Sequence, residues 1–223
     1  MIINKIKFKN SLFNKLINNY NEAIKEYKLE NPIKADEYFI RIGNALNKYL
    51  PFIKSLKNSE FDHILEIGSG YGSVSIGLST LTKKLTCLDI NEKEIKFLKN
   101  ISFLKDAEII KANSGEFDNS KKIYDLIVYS ASLEHMTLYE REEYLRKSWD
   151  SLKDGGFIVI LECPNLYWYK ENHSTQLLFN GWLQNEIAFK HTKNTKRKSF
   201  QNLYIDFNDN LQRMDWLRRG RPV

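Results

Sequence analysis

From residue 61 onward the chain alternates short apolar runs with helical patterns, and this alternation decides what it can fold into. The runs "DHILEIG" (62–68), "KLTCLDI" (84–90), "AEIIKA" (107–112), "YDLIVYSA" (124–131) and "GFIVILEC" (156–163) each have the length of one strand. Helical patterns lie between them. "NEKEIKFLKNISFL" opens with Asn91 as a cap and Glu94 three residues later. "TLYEREEYLRKSWDSL" opens with Thr137 and Glu140, a capping box, and its predicted apolar face is Leu138, Leu145, Trp149 and Leu152. Alternation at this density predicts an α/β fold: a Rossmann-like, doubly wound, mostly parallel sheet with helices on both faces. Such sheets bind ligands outside the carboxyl ends of their strands.

Residues 11–56 follow a different pattern. Leu12, Phe13, Leu16, Ile17, Tyr20 and Ile24, then Tyr38, Phe39, Ile42, Ala45, Leu46 and Leu50, fall at helical spacing. They predict two or three helices ending near Pro51 or a turn later. The expected organisation is an N-terminal helical cap (1–58) and a Rossmann-like domain (59–223), whose last part, 164–223, forms a substrate-side region.

The first strand runs into "EIGSGYGS", with Gly68, Gly70 and Gly72 alternating and the acid Glu66 just ahead. Glycines at a strand-to-helix turn allow positive φ and close approach of backbone to ligand. A dinucleotide would want G-x-G-x-x-G with its pyrophosphate on the helix N-terminus. Here the last glycine position of that pattern is Ser73. Glu66 is also electrostatically wrong beside a pyrophosphate and right beside an ammonium group.

These residues resemble the class I S-adenosylmethionine-dependent methyltransferases, and the resemblance extends over about residues 60–165. It implies that S-adenosylmethionine is the cofactor and S-adenosylhomocysteine the product. By this resemblance Glu66 lies near the cofactor's amino-acid end. Gly68, Gly70 and Gly72 pack against the cofactor, with Tyr71 between them as a candidate cover. Asp89, 17 residues beyond Gly72, takes the ribose hydroxyls, with Ile90 beside it. Asn113 stands at the adenine-reading turn, where the family more often has Asp. "YDLIVYSASLEHM" resembles the fourth-strand motif and brings Ser130, Glu134 and His135 to the site. "LKDGGFIVILECPN" resembles the fifth-strand motif. Asp125, at the start of the fourth strand, reads as structural. Arg41 is the single arginine before residue 141. Its guanidinium forks to a carboxylate as lysine does not, and it is the candidate for the cofactor's carboxylate, with Tyr38 nearby.

The acceptor is narrowed by what the fourth strand lacks. There is no Asn/Asp-Pro-Pro-aromatic motif and no Pro-Cys; Cys163-Pro164 is in reverse order and on the fifth strand. Both absences argue against nucleic acid. "LEH", "PNLYWYKENHS" (164–174) and "WLRRGRPV" are similar to members that act on small molecules, above all those of surface-polysaccharide pathways. His173 and His135 are the candidate bases. Glu134, Glu162, Asn165, Tyr167 and Tyr169 are candidates to line the acceptor pocket. Charge points the same way. Residues 1–163 carry 24 Lys and Arg against 23 Asp and Glu, whereas 164–223 carry 10 against 5. A basic C-terminal third suits a small anionic acceptor, phosphorylated or nucleotide-linked.

Two cysteines in apolar runs read as buried thiols of a reducing, cytoplasmic protein. No Cys/His cluster suggests a metal, and no apolar run is long enough to span a bilayer. The stop at "GRPV" reads as an unfinished segment, with the tail shortened or disordered and the acceptor pocket incomplete. The alternative acceptors are a small phosphorylated or amino metabolite, methylated at O or N, and RNA; the rival classes are a non-catalytic cofactor-binding module and, third, an oxidoreductase. The pattern does not fix the oligomeric state.

Overall fold

The computed structural model describes residues 14, 15, 18, 22, 40–112, 117, 120–165, 168–171 and 175–197. Most of the expected cap, and with it Tyr38, lies outside them. Where the description becomes continuous, residues 40–44 are helical and lead into a π-turn at Ala45–Tyr49, closed by Leu50 N–H donating to Ala45 O. Helix α1 (Leu50–Ser55) follows at once, with Pro51 in its first turn. Proline has no N–H to give to the preceding turn, and the wider turn sits where that donor is missing. The helix ends a turn beyond Pro51, as its spacing predicts.

Five strands form one sheet: β1 (Phe61–Ile67), β2 (Thr82–Asp89), β3 (Glu108–Lys111), β4 (Tyr124–Ser130) and β5 (Leu152–Leu161). Their order is β3-β2-β1-β4-β5. The registers are parallel, with Ile67 beside Leu88 and Tyr129, and Asp89 beside Lys111. At the β4–β5 edge Ile123 N–H donates to Ser151 O and Ala131 N–H to Leu161 O, so both strands rise together. Helices α2 (Ser75–Leu78), α3 (Glu92–Leu98) and α4 (Leu138–Ser151) make the crossovers. Right-handed crossovers set α2 and α3 on one face and α4 on the other. Chain order reverses between β1 and β4, and the crevice of such a sheet opens there, at the carboxyl ends.

β1 and β4 are buried along nearly their whole length, as strands covered on both faces must be. Ile64, Leu65, Ile67, Leu126, Ile127 and Val128 are fully enclosed. α1 packs onto α2 at Gly77, where a Cβ would meet Leu50 Cδ1 at 2.5 Å.

Two details differ from the sequence expectation. β5 starts at Leu152 rather than at 156, because α4 ends at Ser151 and the chain turns straight into the strand. "DGG" is therefore a bend within the strand, with Gly155 at φ 78°. The buried side of α4 is Arg141, Tyr144, Ser148 and Ser151, while Trp149 is 70% exposed. Small serines let the helix approach closely, and Ser148 Oγ meets Tyr129 Oη at 2.7 Å.

The chain divides into two compact units, Met1–Ser130 with Lys147–Val159, and Ala131–Arg146 with Ile160–Val223. The second contains α5 (Asn185–Thr192). Among the described residues no helix is long and apolar enough to cross a membrane, and no group of His, Cys, Asp and Glu has the makings of a metal site.

Candidate functional site

In the first unit the turn after β1 is built on three left-handed glycines, Gly68 (φ 76°), Gly70 (φ 52°) and Gly72 (φ 78°). Gly68 N–H and Ser69 N–H both donate to Leu88 O, at 2.9 and 3.0 Å, which ties the turn to the end of β2. The next residue of β2 is Asp89. Gly70 N–H donates to its Oδ2 at 2.8 Å, and Asn91 N–H to its Oδ1 at 2.8 Å. Each oxygen takes one backbone bond and keeps a lone pair. The carboxylate is thereby held at the carboxyl edge of the sheet, between the glycine turn and the start of α3. A Cβ on Gly72 would stand 2.5 Å from Leu98 Cδ2. At Gly70 it would meet only Glu94 Oε2, at 3.5 Å.

Glu66 is 1% exposed, one strand away from Cys87 in register. Ser75 Oγ, at the start of α2, donates to its Oε2, and Cys87 Sγ lies 4.0 Å from the same atom. Burial pushes its carboxyl up to about 8; the Ser75 bond opposes this and the charge of Asp89 adds to it. Burial, then Glu66, hold the Cys87 thiol well above its ordinary value. Among the described residues neither Glu66 nor Asp89 meets a lysine or arginine. The turn therefore offers the Asp89 carboxylate, with Glu66 behind it, and is suited to a ligand bearing hydroxyls or positive charge and hostile to a pyrophosphate.

The other expected cofactor residues of this unit are more open. Tyr71 is half-buried with its ring edge-on to Phe97, centroids 5.3 Å apart. Ile90 is exposed, Ser130 is half-buried at the end of β4, and Arg41 is half-buried in the helix before the π-turn. Asn113 lies outside the described residues.

The second unit holds the acceptor candidates. Glu134 is buried and His135 exposed, side by side in the 3₁₀ turn Leu133–His135. The capping box behind it forms as expected: Thr137 N–H donates to Glu140 Oε2 at 2.7 Å, and Glu140 N–H to Thr137 Oγ1 at 3.3 Å. Sequence reasoning missed Arg141. Its side chain is 1% exposed and its Nε donates to Met136 O at 3.1 Å, bracing the turn from α4. A charged residue in a helical pattern reads as surface, so nothing in the sequence marked it. Glu162 and Ala131, each directly after a strand, take left-handed φ of 57° and 48°. Such conformations in non-glycine residues cluster at functional sites. Cys163 is half-buried and lies beyond β5, not within it. Burial, then Glu134, push its thiol up to about 11 while Arg141 opposes. Asn165 and Tyr169 are exposed; Tyr167 and His173 lie outside the described residues.

Fold and turn together define a Rossmann-like parallel sheet with a glycine turn and two acids at its carboxyl edge. Residues 64–156 match the family model described as "Methyltransferase domain". A ubiquinone/menaquinone biosynthesis C-methyltransferase, UbiE of Escherichia fergusonii, is 30% identical over 106 residues, which are 44% of this chain and 41% of that protein. The chain thus spans about two-fifths of the curated relatives it matches. Among solved structures, the PH0226 protein of Pyrococcus horikoshii is 20% identical over 61% of this chain and 64% of its own, with a TM-score of 0.49. DesVI of Streptomyces venezuelae is 15% identical over 62% and 60%, with a TM-score of 0.49. Over residues 64–156 the chain thus carries a methyltransferase domain similar to the class I S-adenosylmethionine-dependent methyltransferases. The chemistry of S-adenosylmethionine fits such a turn: the molecule carries an ammonium, a sulfonium and two ribose hydroxyls and no phosphate, and Asp89 and Glu66 stand at the turn.

Proposed function

We propose that this protein methylates a small polar acceptor, phosphorylated or nucleotide-linked, at a sugar hydroxyl of a surface-polysaccharide precursor. Methyl donation rests on one observation, the Asp89 carboxylate fixed by Gly70 N–H and Asn91 N–H beside Glu66. Asp89 would hold the ribose hydroxyls. Glu66 would balance the ammonium end, the glycine backbone would pack against the ligand, and Arg41 and Asn113 would hold its carboxylate and adenine. When bound, the cofactor supplies an electrophilic methyl group on a sulfonium, open to in-line displacement. The rest is positioning and removal of one proton. His173 or His135 would take that proton from the acceptor hydroxyl. Glu134, Glu162, Asn165, Tyr167 and Tyr169 would orient the acceptor.

The acceptor class is supported by charge: residues 164–223 hold twice as many basic as acidic side chains. The name of the 30% identical relative supplies a second reading, methylation at carbon on a quinone ring.

S-adenosylhomocysteine formation should be measured over a panel of nucleotide-linked sugars, sugar phosphates, phosphorylated amines, a hydroquinone and total RNA. Turnover on the sugar-bearing anions, reduced in kcat by His173→Ala or His135→Ala, is the expected result. Turnover on the hydroquinone alone selects the second reading. Turnover on RNA alone, or on nothing, contradicts both.

A further inference from the structure

The second unit displays large apolar side chains to water. Trp168, Tyr169, Leu178, Phe179, Trp182 and Ile187 are each between 46% and 58% exposed. Ring contacts and hydrogen bonds tie the segments that carry them together. Trp168 and Tyr169 have ring centroids 5.4 Å apart, and Phe179 and Trp182 5.1 Å. Phe179 N–H donates to Tyr169 O at 2.5 Å, and Lys170 and Leu178 form an antiparallel bridge. Ile187 lies one turn before His191, whose Nε2 meets Leu178 O at 3.1 Å. Contiguous apolar patches of this kind mark interaction sites.

The hairpin is built to show these rings. The buried carboxylate of Glu171 accepts from Thr175 N–H, Thr175 Oγ1 and Gln176 N–H, which fixes the turn from inside. Gln176 and Phe179 take left-handed φ of 59° and 56°. That backbone is uncommon for a bulky side chain and persists only where the surroundings impose it.

The rim is basic. Lys170 stands in the hairpin, and Lys190, Lys193, Lys196 and Arg197 follow along α5 and beyond it, all exposed. This segment is tied to the hairpin twice, through His191 to Leu178 O and through Thr195 Oγ1 to Thr175 O at 2.7 Å. Among the described residues of the unit the exposed acids, Glu142, Glu162 and Glu186, are fewer.

We propose that this aromatic hairpin and its basic rim dock the protein on an anionic lipid surface. Tryptophan and tyrosine favour the boundary between headgroups and acyl chains, leucine, isoleucine and phenylalanine favour the layer beneath, and lysines favour anionic headgroups. Single-stranded nucleic acid would use the rings and the lysines but leaves Leu178 and Ile187 with nothing to stack on. A second copy of the chain would face lysine with lysine.

The test is independent of methyl transfer. The full chain is sedimented with vesicles of phosphatidylcholine alone and of phosphatidylcholine mixed with phosphatidylglycerol, and tryptophan emission is followed. Binding to the anionic vesicles should be at least about tenfold tighter, weaken with salt and shift the emission to the blue. Trp168→Ser with Trp182→Ser should abolish the shift while the thermal melt is unchanged, exposed Trp149 serving as the reference. Lys190→Glu with Lys193→Glu should remove the preference for anionic lipid. Equal binding to both vesicles, binding to RNA and not to vesicles, or a dimer that shields the tryptophans would each overturn the proposal.

Discussion

The two ends of the sheet in the first unit use carboxylates in opposite ways. At the amino end, Asp125 accepts from Lys57 at 3.0 Å, from Lys153 at 2.9 Å and from His63 N–H at 3.0 Å. Burial alone would raise its pKa, but these bonds outweigh burial and hold it at about 2. At the carboxyl end, Glu66 and Asp89 have hydrogen-bond donors and no cation among the described residues, and Glu66 sits at about 8. One end has its countercharge built in and contributes to stability. The other lacks one, and a cationic ligand would supply it. The neighbours of an acid, more than its burial, distinguish a structural acid from a binding one.

Substitutions at the two ends should therefore separate affinity from stability. The largest effect is expected for Asp89→Ala, which removes the proposed acceptor for two ribose hydroxyls. Affinity for S-adenosylhomocysteine should fall roughly 100-fold, as calorimetry would show, since bonds to a charged group contribute about 1.5–3 kcal/mol each. Gly72→Ala comes next. Its Cβ would press on Leu98 at a φ of 78°, and chemical denaturation should show a loss of about 2 kcal/mol. Asp125→Asn should cost only about 1 kcal/mol, because Lys57 and Lys153 are partly in water, and should leave cofactor affinity unchanged. The stability Asp125 provides is present above its unfolded value of 3.8 and is lost as pH falls through about 2.

Glu66→Gln gives the smallest effect and the sharpest sign. The Glu66 carboxyl rises from an ordinary 4.5 to about 8 on folding, so the folded protein holds a proton that the unfolded chain releases. The associated stability is full below 4.5 and is lost as pH rises through about 8. The melting temperature of the unliganded variant should fall less than that of the parent between about pH 6 and about pH 9. The variant should also bind the cofactor more weakly.

The sheet was legible in the sequence because strands covered on both faces are written as nearly unbroken apolar runs, and β1 to β4 lie within two residues of those runs. The start of β5 was hidden, since Ser151–Leu152 passes from helix to strand without a turn residue and Gly155-Gly156 imitates one. The face of α4 was misassigned at Trp149, which is exposed, and the serines, the tyrosine and the arginine that face inward were not recognised. That Glu66, the glycines and Asp89 come together at one turn was legible from residue type and spacing. Ser75, which holds Glu66, lies in an undistinguished apolar stretch, and its role follows only from the turn that brings it back.

The central claim, that the carboxyl end of this sheet holds S-adenosylmethionine through Asp89, is tested most directly by calorimetric titration of the protein with S-adenosylhomocysteine. The parent and Asp125→Asn should be titrated alongside Asp89→Ala. Saturable binding by the first two, with affinity lost in the third, is the expected result. No binding by the parent, or binding indifferent to Asp89, would contradict the account.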